Sequence, residues 1–308
     1  MGCKICESEN TRFLFIAEEI DFNLNGIFDI YKCDTCGYIF VNNPPEDLNY
    51  YYPSNYDPYK KAIQDEKNPL MRWARTRNIR VKENIINKYK KYSYPKKVLD
   101  VGCSTGIFLD QMRSAGWETY GVELSPIAAE YARNRFNLKV ETGQLSDRSW
   151  NDTNINVATF WDSLEHTVNP RETLEKCNKI LDNSGYIFFT IPNFESLDKR
   201  IFNKYWIGYD FPRHLSVFPL HTIKTLLDCT GFSIVKIGCA VGGYYNFLSS
   251  LNRWLLTRNI SPGTLKLIIK LLNIPGLRYV FDPIFWFLDL LGIGNNRLIV
   301  AQKKQEVY

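Results

Sequence analysis

The sequence of 308 residues lacks the long apolar runs that would place it in a membrane. No uncharged apolar stretch reaches the roughly 18 residues that span a bilayer. No apolar segment follows the first few residues, so we expect no secretory signal. Its eight cysteines are then expected to be reduced thiols that bind metal or fill the core, as in cytosolic proteins. These absences predict a cytoplasmic protein.

The sequence also has little excess of positive over negative charge, and it has few histidines. The net charge of +5 does not by itself indicate a nucleic-acid-binding protein. Only three histidines are available for proton transfer near neutral pH, namely His166, His214 and His221. The hydrophobic share of 45% and the charged share of 23% are those of an ordinary globular protein. The length allows one large α/β domain with a small appendage, or two domains.

The glycine pattern of dinucleotide-binding enzymes, G-x-G-x-x-G, is missing as well. In its place, residues 98–109 comprise a short apolar strand with Asp100 near its end, a turn from Gly102 to Gly106, and an apolar helix. Glycines let the backbone turn tightly and approach a ligand where a Cβ would collide. The N–H groups that open the helix favour a polar or anionic group. The stretch predicts a ligand-binding turn.

From residue 97 onward, strand-like and helix-like segments alternate. Helix-start signals such as Ser125-Pro126 and Asn169-Pro170 agree with this pattern. Repeated strand–helix units predict an α/β fold with a doubly wound, mostly parallel sheet whose ligands bind at the carboxyl ends of the strands. An insertion at about 242–294 separates the last two strands. Seven strands are expected, at 98–101, 118–122, 138–141, 155–161, 186–191, 232–239 and 297–301.

Four of the eight cysteines form two C-x-x-C pairs. Cys3, Cys6, Cys33 and Cys36 can together hold one tetrahedral Zn²⁺ through four thiolates. Two strand-like runs between the pairs flank Asn25-Gly26, a hairpin-turn signal. We therefore expect a zinc-ribbon-like β-hairpin over residues 1–45, with a structural zinc because no ligand position stays open. A disulfide pair or free thiols are the alternatives.

Residues 46–96 are expected to join this hairpin to the main domain. Their first part is rich in tyrosine and either packs on the surface or forms a flap over a cofactor. Residues 60–97 contain 13 Lys or Arg against 3 Asp or Glu. Apolar residues recur there at helical spacing, so we predict an amphipathic helix. Its basic face is either solvated or touches nucleic acid or anionic lipid. The apolar residues are Leu70, Trp73, Ala74, Val81, Ile85 and Tyr89.

The insertion at 242–294 is rich in Leu, Ile, Phe and Trp. Its apolar segments have a cationic rim, and Asp282 and Pro283 interrupt one of them. Such helices can cap their own domain, cover the substrate cleft, form a dimer surface or lie in a membrane interface. The basic residues are Arg253, Arg258, Lys266, Lys270 and Arg278.

Together these features resemble the class I S-adenosylmethionine (SAM)-dependent methyltransferases over residues 97–303. The motif D-x-G-x-x-x-G at Asp100–Gly106, Glu123 at the tip of the second strand, and Asp162–His166 carry the resemblance. It implies a domain at 97–308 with strand order 3-2-1-4-5-7-6. The four cysteines, the tyrosine-rich linker and Asp210–His214 resemble a bacterial subgroup with an N-terminal zinc-binding domain. Its members often modify sugars or lipid-linked and secondary metabolites.

The resemblance implies roles for single residues. Asp100 and Asp162 would meet the methionine part of SAM, and Glu123 would accept both ribose hydroxyls. His166 follows the fourth strand and His214 lies in the loop after the fifth, so their positions make both candidate catalytic bases. The alternatives are a substrate contact for His214 and a loop-bracing role for His166. Arg213 is a candidate clamp for an anionic substrate. Weaker catalytic candidates are Glu165, Tyr209 and Asp210, while His221 is expected to be structural. The further cofactor-binding candidates are Gly102, Cys103, Gly106, Leu124, Gln144 and Leu145.

The expected function is transfer of a methyl group from SAM to an oxygen or carbon of a small molecule, such as a sugar, glycan or lipid-linked metabolite. One alternative is an RNA-directed methyltransferase that binds through the zinc ribbon and the basic helix. Another is an enzyme with a different nucleotide cofactor. No aromatic–basic stripe and no N/D-P-P-Y/F motif supports a nucleic-acid substrate. We expect a monomer or homodimer, with peripheral contact at the inner membrane face as an option.

Overall fold

The computed structural model describes residues 2–22, 24–52, 63–89, 95–147, 150, 154–240, 243–258, 260–274 and 276–305. The chain divides into two compact units that interleave along the sequence. The first comprises Met1–Tyr51, Thr190–Thr225 and Ile237–Leu298. The second comprises Tyr52–Phe189, Leu226–Lys236 and Ile299–Tyr308. The boundaries predicted near residues 45 and 96 stay predictions.

The described part of the chain forms eleven strands and nine α-helices, numbered separately in chain order. The strands are β1 Thr11–Glu18, β2 Ile27–Cys33, β3 Ile39–Val41, β4 Lys97–Val101, β5 Glu118–Glu123, β6 Lys139–Thr142, β7 Ile155–Trp161, β8 Leu181–Pro192, β9 Ser216–Val217, β10 Phe232–Ala240 and β11 Asn296–Lys303. The helices are α1 Pro69–Asn87, α2 Ile107–Ser114, α3 Pro126–Phe136, α4 Pro170–Ile180, α5 Leu197–Phe202, α6 Leu220–Cys229, α7 Gly243–Leu256, α8 Pro262–Leu272 and α9 Leu277–Leu290.

Most residues of a seven-stranded sheet belong to the second unit. Its strand order is β10-β11-β8-β7-β4-β5-β6, which is the predicted order read from the other edge. β4 pairs in parallel with β5 and with β7, and β5 pairs in parallel with β6. All seven residues of β7 are buried, as expected of a central strand covered on both faces. The predicted doubly wound α/β fold is confirmed.

The helices of this unit begin where the sequence signals them. Ser125 caps α3 by accepting the backbone N–H of Ala128, with Pro126 at the first helical position. Asn169 caps α4 in the same way through Glu172. The predicted basic helix is α1, but Trp73 is 53% exposed although its spacing predicted a buried position. Its ring is partnered by the Arg77 guanidinium, 5.8 Å from the ring centroid.

The first unit contains a four-stranded sheet of order β1-β2-β3-β9. β1 and β2 form the predicted antiparallel hairpin. Its connection is not a tight turn at Asn25-Gly26, however, because residues 19–26 separate the two strands. The Glu19 carboxylate organises this loop by accepting the backbone N–H groups of Asp21, Phe22 and Leu24.

The insertion between β10 and β11 is helical, as predicted, and consists of α7, α8 and α9. Tyr244 of α7 stacks on Phe281 of α9 with ring centroids 5.6 Å apart. Phe285 of α9 packs edge-on against Tyr244 and also contacts Phe247. Among the residues that the structure describes, no helix is both long and apolar enough to cross a bilayer.

Candidate functional site

The glycine turn follows β4 at its carboxyl end. The backbone N–H groups of Gly102 and Cys103 donate to the Val122 carbonyl of β5, at 2.8 and 3.1 Å. Gly102 and Gly106 both have φ of +78°. A Cβ on Gly102 would lie 2.5 Å from the Ser163 Cβ, and one on Gly106 would lie 2.7 Å from a Leu138 methyl carbon. The turn therefore requires glycine for conformation and for space.

Asp100 is buried in β4 beside this turn. The Thr159 hydroxyl donates to its Oδ1 at 2.6 Å. Burial raises the pKa of Asp100 to about 7, against the opposing effects of Thr159 and the Lys82 ammonium. A bound cation would shift this carboxyl to its charged form. The position therefore suits the amino group of an amino-acid ligand.

Glu123, at the end of β5, is also buried. Its Oε2 accepts the Ser104 N–H and its Oε1 accepts the Ser125 N–H, both at 2.8 Å. Burial raises the pKa of Glu123, although these amide donors oppose the shift. The carboxylate thus braces both the glycine turn and the start of α3, a task the sequence did not reveal. Each oxygen keeps a second lone pair for a ligand hydroxyl.

The other predicted cofactor residues surround the ends of β4, β5 and β6. Cys103 is buried, and its thiol would lie 2.8 Å from a Cβ on Gly121 of β5. Leu145 is buried and Leu124 is half-buried, so both can form an apolar wall. Gln144 is exposed, and its backbone N–H donates to the Asp147 carboxylate at 2.8 Å.

The segment after β7 brings together several polar groups. Asp162 is exposed and has φ of +55°, which is uncommon for a residue other than glycine. The Ser163 hydroxyl donates to the Val101 carbonyl at 2.5 Å and so ties this segment to β4. Glu165 is 1% exposed, and neither of its carboxyl oxygens has a hydrogen-bond partner among the described residues. Burial, with a smaller effect of Asp162, raises the pKa of Glu165 well above its usual range.

His166 lies beside Glu165, with a ring nitrogen within 4.8 Å of a Glu165 carboxyl oxygen. The Nδ1 of His166 is 2.9 Å from the Tyr52 hydroxyl. Tyr52 belongs to the tyrosine-rich segment, whose residues 53–62 lie outside the described part of the chain. The contact supports a role of this segment at the candidate site, while the flap stays a prediction.

Lys82 and Trp161 are residues to which the sequence assigned no role in the site. Lys82 of α1 lies with its Nζ 4.8 Å from the ring centroid of Trp161, the last residue of β7. Phe108 of α2 packs edge-on against the same ring, with centroids 5.6 Å apart. Burial lowers the pKa of Lys82, although the Asp162 and Asp100 charges oppose this. Nothing in the spacing of α1 distinguishes Lys82 from the other basic residues of that segment.

His214 lies in the first unit, not in the unit that contains the residues above. Its Nδ1 is 3.0 Å from the Gly208 carbonyl oxygen, which can only accept. The proton therefore sits on Nδ1, and a neutral ring keeps an acceptor lone pair on Nε2. Burial lowers the pKa of His214 and so favours this neutral form. The predicted role of His214 as a base stays a prediction.

The predicted role of Arg213 as a substrate clamp is wrong. Its side chain is fully buried, and its guanidinium donates to Asp210, Glu19 and Asp21. Arg253 of α7 bridges Asp21 and Asp210 in the same network. Guanidiniums paired this fully with carboxylates hold the first unit together and cannot also take a substrate anion.

The four N-terminal cysteines converge in the first unit. Their sulfur atoms all lie within 4.8 Å of one another, with Cys3 to Cys36 at 3.5 Å and Cys6 to Cys33 at 3.6 Å. Zn–S bonds of about 2.3 Å place tetrahedral sulfur ligands roughly 3.8 Å apart, whereas a disulfide needs about 2 Å. The geometry fits a four-thiolate zinc site and not the disulfide alternative.

The chain next to each cysteine pair also has the form of a metal knuckle. The Ile5 N–H points to the Cys3 sulfur at 3.5 Å. Gly37 has φ of +72°, and its N–H donates to the Cys33 carbonyl at 2.9 Å. His221 packs against Gly37, since a Cβ there would lie 1.9 Å from its Nε2. This packing agrees with the structural role predicted for His221.

Comparison with known proteins identifies the family. Residues 72–237, more than half of the chain, match the model of a methyltransferase domain. The chain belongs to the methyltransferase domain family. The fold agrees: magnesium protoporphyrin IX methyltransferase from Synechocystis PCC 6803, solved with bound SAH, superposes with a TM-score of 0.52 at 14% identity. The match covers 83% of this chain and 97% of that one.

Two relatives by sequence are ubiquinone biosynthesis O-methyltransferases. The protein of Azoarcus sp. (strain BH72) is 33% identical over 104 residues, which are 32% of this methyltransferase-family chain and 45% of that protein. The protein of Actinobacillus pleuropneumoniae serotype 5b (strain L20) is 30% identical over 110 residues, 32% of this chain and 47% of that protein. The chain thus spans about half the length of the curated relatives it matches. The class predicted from the sequence is confirmed at the level of the family.

Proposed function

We propose that the protein transfers the methyl group of SAM to an oxygen atom of a small molecule. One observation carries this: the glycine turn and the carboxyls of Asp100, Glu123 and Asp162 lie at the carboxyl ends of adjacent parallel strands in a methyltransferase-family domain. Ligands of such sheets bind at that edge. SAM supplies an electrophilic methyl group on a positively charged sulfur.

Each part of the site suits one part of this cofactor. Asp100 and Asp162 take the amino-acid end, with the Lys82–Trp161 pair beside them. The backbone of Gly102, Cys103 and Gly106 allows close approach. Glu123 accepts the ribose hydroxyls with its remaining lone pairs, and the adenine side is formed by Leu124, Gln144 and Leu145.

We propose His166 as the proton acceptor, because it belongs to the short turn that follows β7 and Asp162 and because its Nδ1 contacts the Tyr52 hydroxyl. In the tautomer with its proton on Nδ1, the ring donates to the Tyr52 hydroxyl oxygen, and the basic nitrogen of the neutral ring is then Nε2. Burial raises the pKa of the neighbouring Glu165 well above its usual range and so disfavours a negative charge beside the pair. His214 is the second candidate. Alignment of the reactants supplies most of the remaining catalysis.

The class of molecule that accepts the methyl group is inferred from the relatives and from the subgroup resemblance, and not from the geometry of the site. The relatives named as O-methyltransferases favour oxygen over carbon as the methyl acceptor. The subgroup resemblance of the four cysteines and the tyrosine-rich linker supports a sugar, glycan or lipid-linked metabolite. We further propose that the four cysteines hold a structural zinc, and that the protein works in the cytoplasm, where their thiols stay reduced.

The test is methyl transfer by the purified full chain. SAM is incubated with sugar-nucleotide, glycan and lipid-linked hydroxyl acceptors, and SAH release and methylated product are followed by mass spectrometry. We expect product from at least one hydroxyl acceptor. His166→Ala should lower kcat by about 10² to 10⁴ fold without changing SAH affinity, as loss of a general base does. Loss of kcat in His214→Ala alone would move the base to His214.

A further inference from the structure

The helical insertion exposes an unusual amount of apolar surface. Among the described residues, 20 large apolar side chains are exposed, and 11 of these lie between Tyr245 and Leu291. Scattered apolar residues on a surface are ordinary, but a concentration on one element marks an interaction site. The members on and beside α8 and α9 are Leu267, Leu271, Ile274, Val280, Ile284, Trp286, Phe287, Leu290 and Leu291.

These residues follow helical faces and not a random distribution. On α9 and its C-cap Leu291, the exposed residues Val280, Ile284, Phe287 and Leu291 are spaced by four, three and four, which is one stripe of a helix. A different side of α9 packs against α7 through Phe281 and Phe285, as described above. The exposed stripe is therefore not a misplaced core face, since α9 already has a buried one.

On α8 the exposed apolar residues stand next to positive charge. Leu267 and Leu271 are four residues apart, and the exposed Lys266 and Lys270 form a parallel row one position away. Among the described residues from Gly243 to Leu290, one further charged side chain is exposed, that of Arg258. Asp282 and Asp289 are both half-buried. The exposed charge described on this insertion is thus entirely positive.

We propose that the exposed face of α8 and α9 docks onto an anionic lipid surface. Helices with an apolar face and lysines at its rim lie in the plane of a membrane interface, and tryptophan is favoured at that depth. Lysines beside the apolar rows pair with negative lipid headgroups. A second copy of the chain fits less well, because lysine is depleted from protein interfaces and two copies would bring like charges together.

The test is co-sedimentation of the full chain with vesicles. Vesicles of phosphatidylcholine with about 30% phosphatidylglycerol are compared with pure phosphatidylcholine at low salt, and we expect at least about tenfold tighter binding to the anionic vesicles. Trp286→Ser combined with Phe287→Ser should weaken binding about tenfold, as should Lys266→Glu combined with Lys270→Glu. Trp73→Ser removes another exposed tryptophan, on α1, and should leave vesicle binding unchanged.

Folding of each variant is checked by its affinity for SAH, because none of these residues belongs to the cofactor site. Absence of binding to either vesicle would overturn the proposal. Equal binding to both vesicles would overturn its electrostatic part. A dimer that Trp286→Ser and Phe287→Ser dissociate, without vesicle binding, would show that a second copy covers this face instead.

Discussion

Gly106 and Gly116 have the same left-handed backbone but different surroundings. A Cβ on Gly106 would meet Leu138 and Ala132 at 2.7 and 2.9 Å, whereas one on Gly116 would meet nothing within 4 Å. Gly116→Ala should therefore cost only the conformational penalty of about 1 to 2 kcal/mol. Gly106→Ala should cost about 1 to 3 kcal/mol more through steric overlap and should weaken SAH binding. Urea unfolding and calorimetry measure both effects, and equal losses in the two variants would contradict the account.

Asp100 makes cofactor binding depend on pH. Because its pKa is about 7 against an unperturbed 3.8, much of it is neutral at pH 6 in the free protein. A neutral carboxyl cannot pair with the amino group of the ligand, so SAH affinity should fall from pH 8 to pH 6. Asp100→Asn should bind weakly with no such dependence. Calorimetry at both pH values checks this, and a pH-independent wild type would refute it.

The raised pKa of Asp100 also changes folding stability with pH, and the sign of this change shows that the loss of SAH affinity at pH 6 is not caused by unfolding. A carboxyl with a raised pKa binds protons more readily in the folded than in the unfolded state. Its contribution to stability is present below about pH 4 and is lost as pH rises through about 7. At pH 6 Asp100 therefore favours folding more than at pH 8. Weaker binding at pH 6 cannot come from unfolding driven by this group.

The buried position of Arg213 gives a prediction for stability. Arg213→Met leaves the buried Glu19 without its cation and leaves Asp210 paired with Arg253 alone, so it should lower the free energy of unfolding by about 3 to 5 kcal/mol. Arg12, whose ion pair with Asp34 is largely exposed, serves as the matched control. Arg12→Met should cost less than about 1 kcal/mol. Denaturant unfolding distinguishes the two, and a similar small loss in both would show that the network is dispensable.

At the scale of elements, the two cysteine knuckles lead us to predict one bound zinc ion that needs all four thiolates. Cys33→Ser removes one of four thiolates, so the purified variant should lose its bound zinc, since a structural site needs all its ligands. Cys229→Ser removes an exposed thiol of α6 and should keep the metal. Metal analysis by mass spectrometry decides the matter. Wild-type protein without stoichiometric zinc, or unchanged zinc in Cys33→Ser, would reject the site.

Elements set by local signals were predictable from the sequence, and those set by distant pairing were not. The capped starts of α3 and α4 and the largely apolar β7 need only neighbouring residues for their prediction. The pairing of β3 with β9 joins Phe40 to Ser216, and no local pattern announces it. The loop before β2 depends on Glu19 binding backbone N–H groups, so the Asn25-Gly26 signal misplaced the turn.

At the scale of the whole molecule, the same distinction holds for the candidate site. Asp100, Glu123 and Asp162 were predictable because parallel strands place their carboxyl ends at one edge of a sheet. Lys82 and Tyr52 come from segments before the sheet, and their contacts with Trp161 and His166 depend on packing that no periodicity encodes. Arg213 was misassigned because its partner Glu19 lies far away in the sequence.

Calorimetric titration of the full, zinc-loaded chain with SAH tests the central claim most directly, since it needs no knowledge of the methyl acceptor. The account predicts saturable binding at one site per chain, weakened by Glu123→Ala and by Gly106→Ala and unaffected by Trp73→Ser. Folded, metal-loaded protein that takes up no SAH would contradict it.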